Sequence, residues 1–344
     1  MLWHPILIGV WLTDLSVALL MLSAAWTALK MTVAWRPDAP SADQLRLERS
    51  AEDLPLKARW AALLLLAATV LLAVALTNVL PAHVPGAMCA TGVLQAMGSA
   101  GRRLLTLRGM ALLALFICQV IGAIDRHEPR SLLAPAMARA ILIAQPPLWL
   151  SQWAFLEAIN RLRPHAAVDC CALLYERSGG LAGRPGSMPI TDAFWMALLL
   201  AASAGVLALA ARIRWGRPPQ RSVMAGGLAL LAGFWCVLAA TCLKKVFAGY
   251  IYQVPSHECL YCLFLLQHGA VGFPIFGALA MVLAEGLACW TAALIGERRR
   301  PLADAARQRA SSAALRIMAA SVAFLIMAGM PALLWRWRFG VWIG

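Results

Sequence analysis

WAALLLLAATVLLAVALTNVL, Trp60 to Leu80, is 21 residues without one charged side chain. Wound as an α-helix at 1.5 Å per residue, it is about 31 Å long. That matches the hydrocarbon thickness of a bilayer, so the segment predicts a transmembrane helix. Similar apolar blocks recur along the chain. The reading places eight helices at roughly 5–29, 60–80, 104–124, 133–158, 191–212, 223–247, 262–295 and 312–335. Composition agrees: the 344 residues are 62% hydrophobic and 13% charged, where a soluble domain has about 45–50% and about 25%. The expected fold class is an all-α integral membrane protein of about eight transmembrane helices. No connection is long enough to hold a soluble domain with its own core.

The formal charge of +14 does not indicate nucleic acid. The basic residues are scattered at span ends, with no basic patch interleaved with aromatics. Lys and Arg at span ends instead hold loops in the cytoplasm. Seventeen of them fall in the connections after spans one, three, five and seven, and about eleven on the opposite side. Both termini are therefore expected outside, in a bacterial inner (plasma) membrane with the lipid bilayer as the main surrounding partner. The N-terminal MLWHPILIGVWLTDLSVALL lacks a basic leader region and reads as a retained first span. The charged segment 36–58 reads as a connector with a short cytoplasmic surface helix.

This direction puts Cys89, Cys170, Cys171, Cys259 and Cys262 in outer connections and no cysteine in an inner one. Cys118, Cys236 and Cys289 read as apolar packing. Five outer cysteines are an odd number, and Cys242, near the outer end of span six, is the natural sixth. Clustered thiols on an oxidising face point to disulfides, a metal or redox chemistry.

Two of the outer loops resemble each other. VPGAMCATGVLQAMG (Val84 to Gly98) and VPSHECLYCLFLLQHG (Val254 to Gly269) share Val-Pro, a cysteine four residues after the proline, and a later Leu-Gln. They suggest two parallel four-helix repeats, 1–165 and 166–344, in a single membrane bundle. Gln95 and Gln267 then enter their helices at equivalent depth. Within span four, Pro146 and Pro147 are expected to break the helical ladder beside Gln145 and Gln152. Asp14 and Glu285 lie at membrane depth, where an ionisable group either faces a cavity or bonds between helices.

Cys259-Leu-Tyr-Cys262 has dithiol spacing. If span seven begins near Cys262, that sulfur sits at a helix N-terminus and its pKa falls, with His257 adding positive charge when protonated. Such a site suits thiol–disulfide exchange, with Cys170, Cys171 and Cys89 as relay. A periplasmic thioredoxin-like protein is the expected partner. A quinone beside Gln267, His268, Gln95 or Gln145 is the expected electron acceptor. In its Cys-x-x-Cys at an outer helix start, and in that alone, the layout resembles the quinone-coupled disulfide-forming membrane proteins, the DsbB and vitamin K epoxide reductase groups.

Two other functions stay open. Adjacent Cys170 and Cys171 can clamp a soft metal ion such as Cu, Zn or Hg, with His257, His83, Cys89 and Cys262 as further ligands. Alternatively the chain is an anchor or accessory subunit of a membrane complex, its cysteines crosslinked for stability.

Overall fold

Helix is the only regular structure among the described residues. The computed structural model describes residues 4–36, 41–127, 131–162, 168, 190–216, 221–254 and 257–342. Among the described residues the chain runs through α1 Pro5–Ala34, α2 Ala42–Glu52, α3 Leu54–Val74, α4 Ala90–Met97, α5 Ser99–Asp125, α6 Ala134–Arg161, α7 Ile190–Trp215, α8 Arg221–Cys242, α9 Gly272–Arg298 and α10 Ala303–Phe339, with a further short helix, Ala248–Tyr252, between α8 and α9. Among the described residues, seven helical segments are long and apolar enough to cross a membrane: those of α1, α3, α5, α7, α8, α9 and α10. The chain is thus a helical, multi-pass membrane protein. The eighth expected span is present as the 28-residue helix α6, which falls outside that set.

The chain divides into two compact units. The first comprises Met1–Pro85, Val93–Ala166 and Leu294–Arg309. In it α5 packs on α6, α1 on α3 and α6, and α3 on α5. Lipid tails are as apolar as leucine, so close packing and polar bonds have to hold such helices together. Both are present. A side chain at Gly122 of α5 would meet Pro55 Cβ at 3.0 Å and Met137 Cε at 3.2 Å, so α5 packs backbone-close there. Asp14 of α1 pairs with Arg108 of α5, and both are almost fully buried. Gln152 Nε2 of α6 donates to Asp14 O at 3.0 Å, and Gln145 Nε2 to Met21 O at 3.1 Å. The intramembrane charge at Asp14 is therefore bonded between helices. Outward, α1 presents Trp11, Leu15, Leu19, Leu22 and Trp26. A helix apolar on both faces belongs in lipid rather than on a soluble surface.

The prolines of α6 do not break it: the helix runs on through Pro146 and Pro147. Each proline removes one backbone donor. Gln145 Nε2 also reaches Ile141 O, at 3.4 Å, within that stretch, and the helix packs on α1 and α5. The expected surface helix in 36–58 is α2, capped by Ser41 Oγ accepting from Gln44 N at 3.2 Å.

The second unit comprises Gly86–Gly92, Ala167–Ala293 and Ala310–Gly344. Gly286 of α9 lies close against α8; a Cβ there would sit 3.1 Å from Ala232 Cβ. Trp235 of α8 donates from Nε1 to Ser203 Oγ of α7 at 2.8 Å and stacks edge-on against Phe324 of α10 at 5.2 Å. Glu285 of α9 is buried and accepts from Arg316 Nη1 of α10 at 2.8 Å. It too serves a bond between helices.

Helices α3 and α8 end alike. Each runs into a single π turn, Ala75–Val79 after α3 and Leu243–Phe247 after α8, and a short helical piece, Leu80–His83 or Ala248–Tyr252, then leads to a Val-Pro-containing cysteine loop. Such turns hold one residue more than an α turn, and they cluster at functional sites.

Span seven starts later than expected. Helix α9 begins at Gly272, ten residues beyond Cys262. The intervening chain forms two short 3-10 turns, Leu260–Phe264 and Leu266–His268. Gly269 and Ala270 then take positive φ angles of 68° and 52°, which an α-helix cannot contain.

Candidate functional site

The site is built from two loops of the second unit. After Tyr252 the helix stops at Gln253, whose φ of 57° is left-handed. Val254 N then bonds back to Gly249 O at 3.0 Å, and His257 N to Val254 O at 3.1 Å. Tyr252 Oη donates to Cys259 O at 2.6 Å and fixes the returning strand. Cys259 caps the 3-10 turn Leu260–Phe264. In a 3-10 turn residues three apart lie on one side, so the spacing Cys-x-x-Cys stacks Cys262 over Cys259.

Cys89 arrives from the other loop. Gly86 has a φ of +79°, and a Cβ there would lie 2.2 Å from Val168 O, so only glycine serves. The loop turns there and delivers Cys89 to the head of α4, where Gly92 N bonds to Cys89 O at 3.1 Å.

The result is a cluster of three sulfurs. Cys89 Sγ lies 3.4 Å from Cys259 Sγ, and Thr91 Oγ1 3.2 Å from the same sulfur. The sulfurs of Cys89, Cys259 and Cys262 all lie within 4.8 Å of one another. Cys89 and Cys262 are buried and Cys259 is half-buried, with Tyr252, Tyr261 and Leu265 packed around them. The Tyr252 ring meets His257 edge-on at 4.3 Å and His268 at 4.7 Å.

Hydrogen bonding sets the electrostatics. The Cys262 thiol, then the Cys89 thiol, the Thr91 hydroxyl and the Cys262 backbone N–H favour a thiolate at Cys259, and they pull its pKa far below the usual thiol range against the opposing effect of burial. These bonds favour a low-pKa thiol at Cys259. Because α9 starts late, no long helix begins at Cys262, and it is neighbouring donors that act on Cys259. Burial drives His257 below its ordinary value, against the pull of the Cys259 charge and with the push of His268. The shift works against the protonated form in which this ring would add positive charge. Its Nε2 is buried and has no hydrogen-bond partner among the described residues. Tyr261 is raised, by burial first and then by Cys259 and Cys89.

Of the residues singled out in the sequence, Cys89, Cys259 and Cys262 come together, and His257 and His268 flank them through Tyr252. Gln267 is exposed on its 3-10 turn, and Gln95 is exposed on α4. Gln145 lies in the first unit with its amide engaged: Oε1 accepts from Trp149 Nε1 at 3.0 Å, and Nε2 bonds to α1. His83 is exposed, its Nδ1 3.0 Å from Val79 O, and stands outside the sulfur cluster. Cys242 Sγ donates to Trp195 O at 3.3 Å and is not the cluster's further member. Cys170 and Cys171 lie outside the described residues. Three contributors escaped sequence reasoning: Thr91, Tyr252 and Tyr261. Tyr261 lay inside the Cys-x-x-Cys motif and Thr91 two residues past Cys89, whereas nothing local marks the reach of Tyr252.

Three close sulfurs, one of them a stabilised thiolate, can exchange disulfides or hold a thiophilic ion. Comparison with family models, with curated proteins and with solved structures finds no match to this chain.

Proposed function

We propose that the protein is a membrane-integral thiol–disulfide redox protein whose reacting centre is Cys259, Cys262 and Cys89. The carrying observation is the 3.4 Å contact of Cys89 Sγ with Cys259 Sγ inside a three-sulfur cluster. Exchange requires a thiolate attacking a neighbouring sulfur, and both are provided here. Cys259, the half-buried member, is where a soluble thioredoxin-like partner makes contact. A membrane quinone is the electron acceptor in this reading.

The same contact supports eight membrane crossings. Cys89 lies between α3 and α5, and Cys259 between α8 and α9. Touching sulfurs require both loops on one side. Between them run α5, α6, α7 and α8, and only an even number of crossings returns the chain to the side it left. Helix α6 therefore crosses with the other three. Its outward Ile143, Trp149, Leu150, Trp153 and Leu156 suit lipid. Gln145 and Gln152, which lower its hydropathy, are satisfied against α1. With the excess of Lys and Arg in the opposite connections, the sulfur loops face the periplasm of a bacterial inner membrane. The paired π turns and the similar loops favour two parallel four-helix repeats.

The test is alkylation of membranes from aerobic cells before and after reduction, read by mass spectrometry. Cys259, together with Cys262 or Cys89, should label only after reduction. Full labelling beforehand, unchanged by an added oxidant, rejects redox function. One observation favours a second reading: the third sulfur comes from a separate loop, as in a trigonal thiolate site for Cu(I) or Hg(II). In that case the reduced protein retains one equivalent of Cu(I) through gel filtration, and a Cys89→Ser variant loses it.

A further inference from the structure

We propose that Cys259 is a branch-point sulfur that forms two alternative disulfides, one with Cys262 and one with Cys89. Exchange between them moves the crosslink from within one loop to between two loops. The proposal rests on the thiol–disulfide reading above and assigns the order of events within it.

Three observations carry it. Cys259 Sγ is 3.4 Å from Cys89 Sγ, a separation at which reacting atoms are already in near-attack range. Cys262 lies on the same side of the turn, and its sulfur is within 4.8 Å of both others. Cys89 is 1% exposed and Cys262 6%, whereas Cys259 is half-buried. Cys259 is therefore the sulfur through which an external thiol or disulfide enters, and the other two are its internal partners. Tyr252 holds the Cys259 carbonyl, so the backbone stays fixed. Rotation about the Cys259 Cα–Cβ bond turns the sulfur from one partner to the other.

The chemistry balances in two steps. A two-electron oxidant, a quinone in the membrane or diamide in the test tube, takes two electrons from the Cys259 thiolate and the Cys262 thiol, and two protons, one from Cys262 and one from water. Their S–S bond forms, and the oxidant leaves as quinol or hydrazine. The Cys89 thiolate then attacks Cys259 Sγ. The Cys89–Cys259 bond forms as the Cys259–Cys262 bond breaks, Cys262 leaves as thiolate, and it takes up the proton that Cys89 released. No electrons are gained or lost in this second step. Its product joins sulfurs 170 residues apart in sequence, where the first joined sulfurs in a single turn.

The experiment uses the full-length reduced protein in detergent, treated with one equivalent of diamide. Samples are quenched with acid, alkylated with N-ethylmaleimide and mapped as non-reduced peptides. Wild type should show Cys259–Cys262 first and Cys89–Cys259 later. Cys262→Ser should accumulate Cys89–Cys259, and Cys89→Ser should stop at Cys259–Cys262. If Cys89 stays a thiol in both wild type and Cys262→Ser while Cys259–Cys262 forms normally, the branch point is wrong and the redox reading stands. If Cys259→Ser yields Cys89–Cys262 as fast as wild type yields its own disulfides, Cys259 holds no special place. If diamide forms neither disulfide, both readings fall together.

Discussion

Cys89 Sγ lies 3.4 Å from Cys259 Sγ although 170 residues separate them in sequence. These are also the two cysteines that stand four residues after the proline of their respective Val-Pro loops. The positions that the loop similarity puts in register are thus the positions whose sulfurs touch. Cys262, three residues beyond Cys259, has Gly92 opposite it in the alignment and no sulfur counterpart, so the centre is a pair plus one.

Reactivity should depend on pH in an unusual way. Cys259 has its thiol pKa lowered by donors from Cys262, Cys89 and Thr91. Its alkylation by iodoacetamide should stay nearly flat between pH 8 and pH 5 in the reduced protein. An ordinary thiol, with a pKa of about 8.5, loses roughly tenfold per pH unit over that interval. A site-resolved rate for Cys259 that drops as steeply as this would contradict the hydrogen-bonding account.

Stability follows from the same shift. The folded pKa of Cys259 is depressed below its unfolded value of about 8.5. Its contribution is full above that unfolded value and is lost as pH falls toward the folded one, because the unfolded chain binds the extra proton. The Tm of the reduced protein should therefore rise with pH from about 5 to about 9 more steeply than that of Cys259→Ser. Parallel curves, measured by thermal unfolding in detergent, would speak against a folded-state thiolate.

Thr91 is a positioning residue, acting through Cys259 at 3.2 Å. Thr91→Val keeps the shape and removes the donor. The apparent thiol pKa of Cys259 should rise by about one unit, and its alkylation rate below that pKa should fall roughly tenfold. Thr91→Ser should restore both. Equal behaviour of the Val and Ser variants would reduce Thr91 to packing.

The buried Asp14–Arg108 pair should matter for stability. Removing one partner leaves the other charge buried and uncompensated, at a cost of roughly 3–5 kcal/mol. Arg108→Ala should therefore unfold at markedly lower temperature in detergent. The double variant Asp14→Asn with Arg108→Gln should recover part of the loss, since a neutral pair has no stranded charge. A double variant worse than the single would show that the charges themselves are needed.

Membrane topology offers a direct check on α6. In a background without native cysteines, Ser131→Cys and Asn160→Cys place single thiols near the two ends of α6, at exposed positions. An impermeant maleimide applied to intact cells should label Asn160→Cys and spare Ser131→Cys until the cells are opened. Labelling of both from outside would mean that α6 does not cross.

The apolar blocks determined nearly all of the fold at the level of elements. Trp60–Leu80 and its counterparts became the long helices because a chain in lipid has to satisfy its backbone within each helix, a local requirement that sequence displays openly. The same is true of α2, with Ser41 at its cap. The grouping of Cys89 with Cys259 and Cys262 was also legible, since parity of crossings is a one-dimensional fact. Tertiary structure alone decided the rest. That Cys259 carries a lowered pKa depends on donors from Cys262 and, far away in sequence, from Cys89 and Thr91, and positive φ at Gly269 and Ala270 postpones α9. That Asp14 meets Arg108, and that α6 runs unbroken through two prolines, depend on neighbouring helices. Long-range contacts of this kind set which groups stabilise a charge or replace a missing bond, and no periodicity within a segment encodes them.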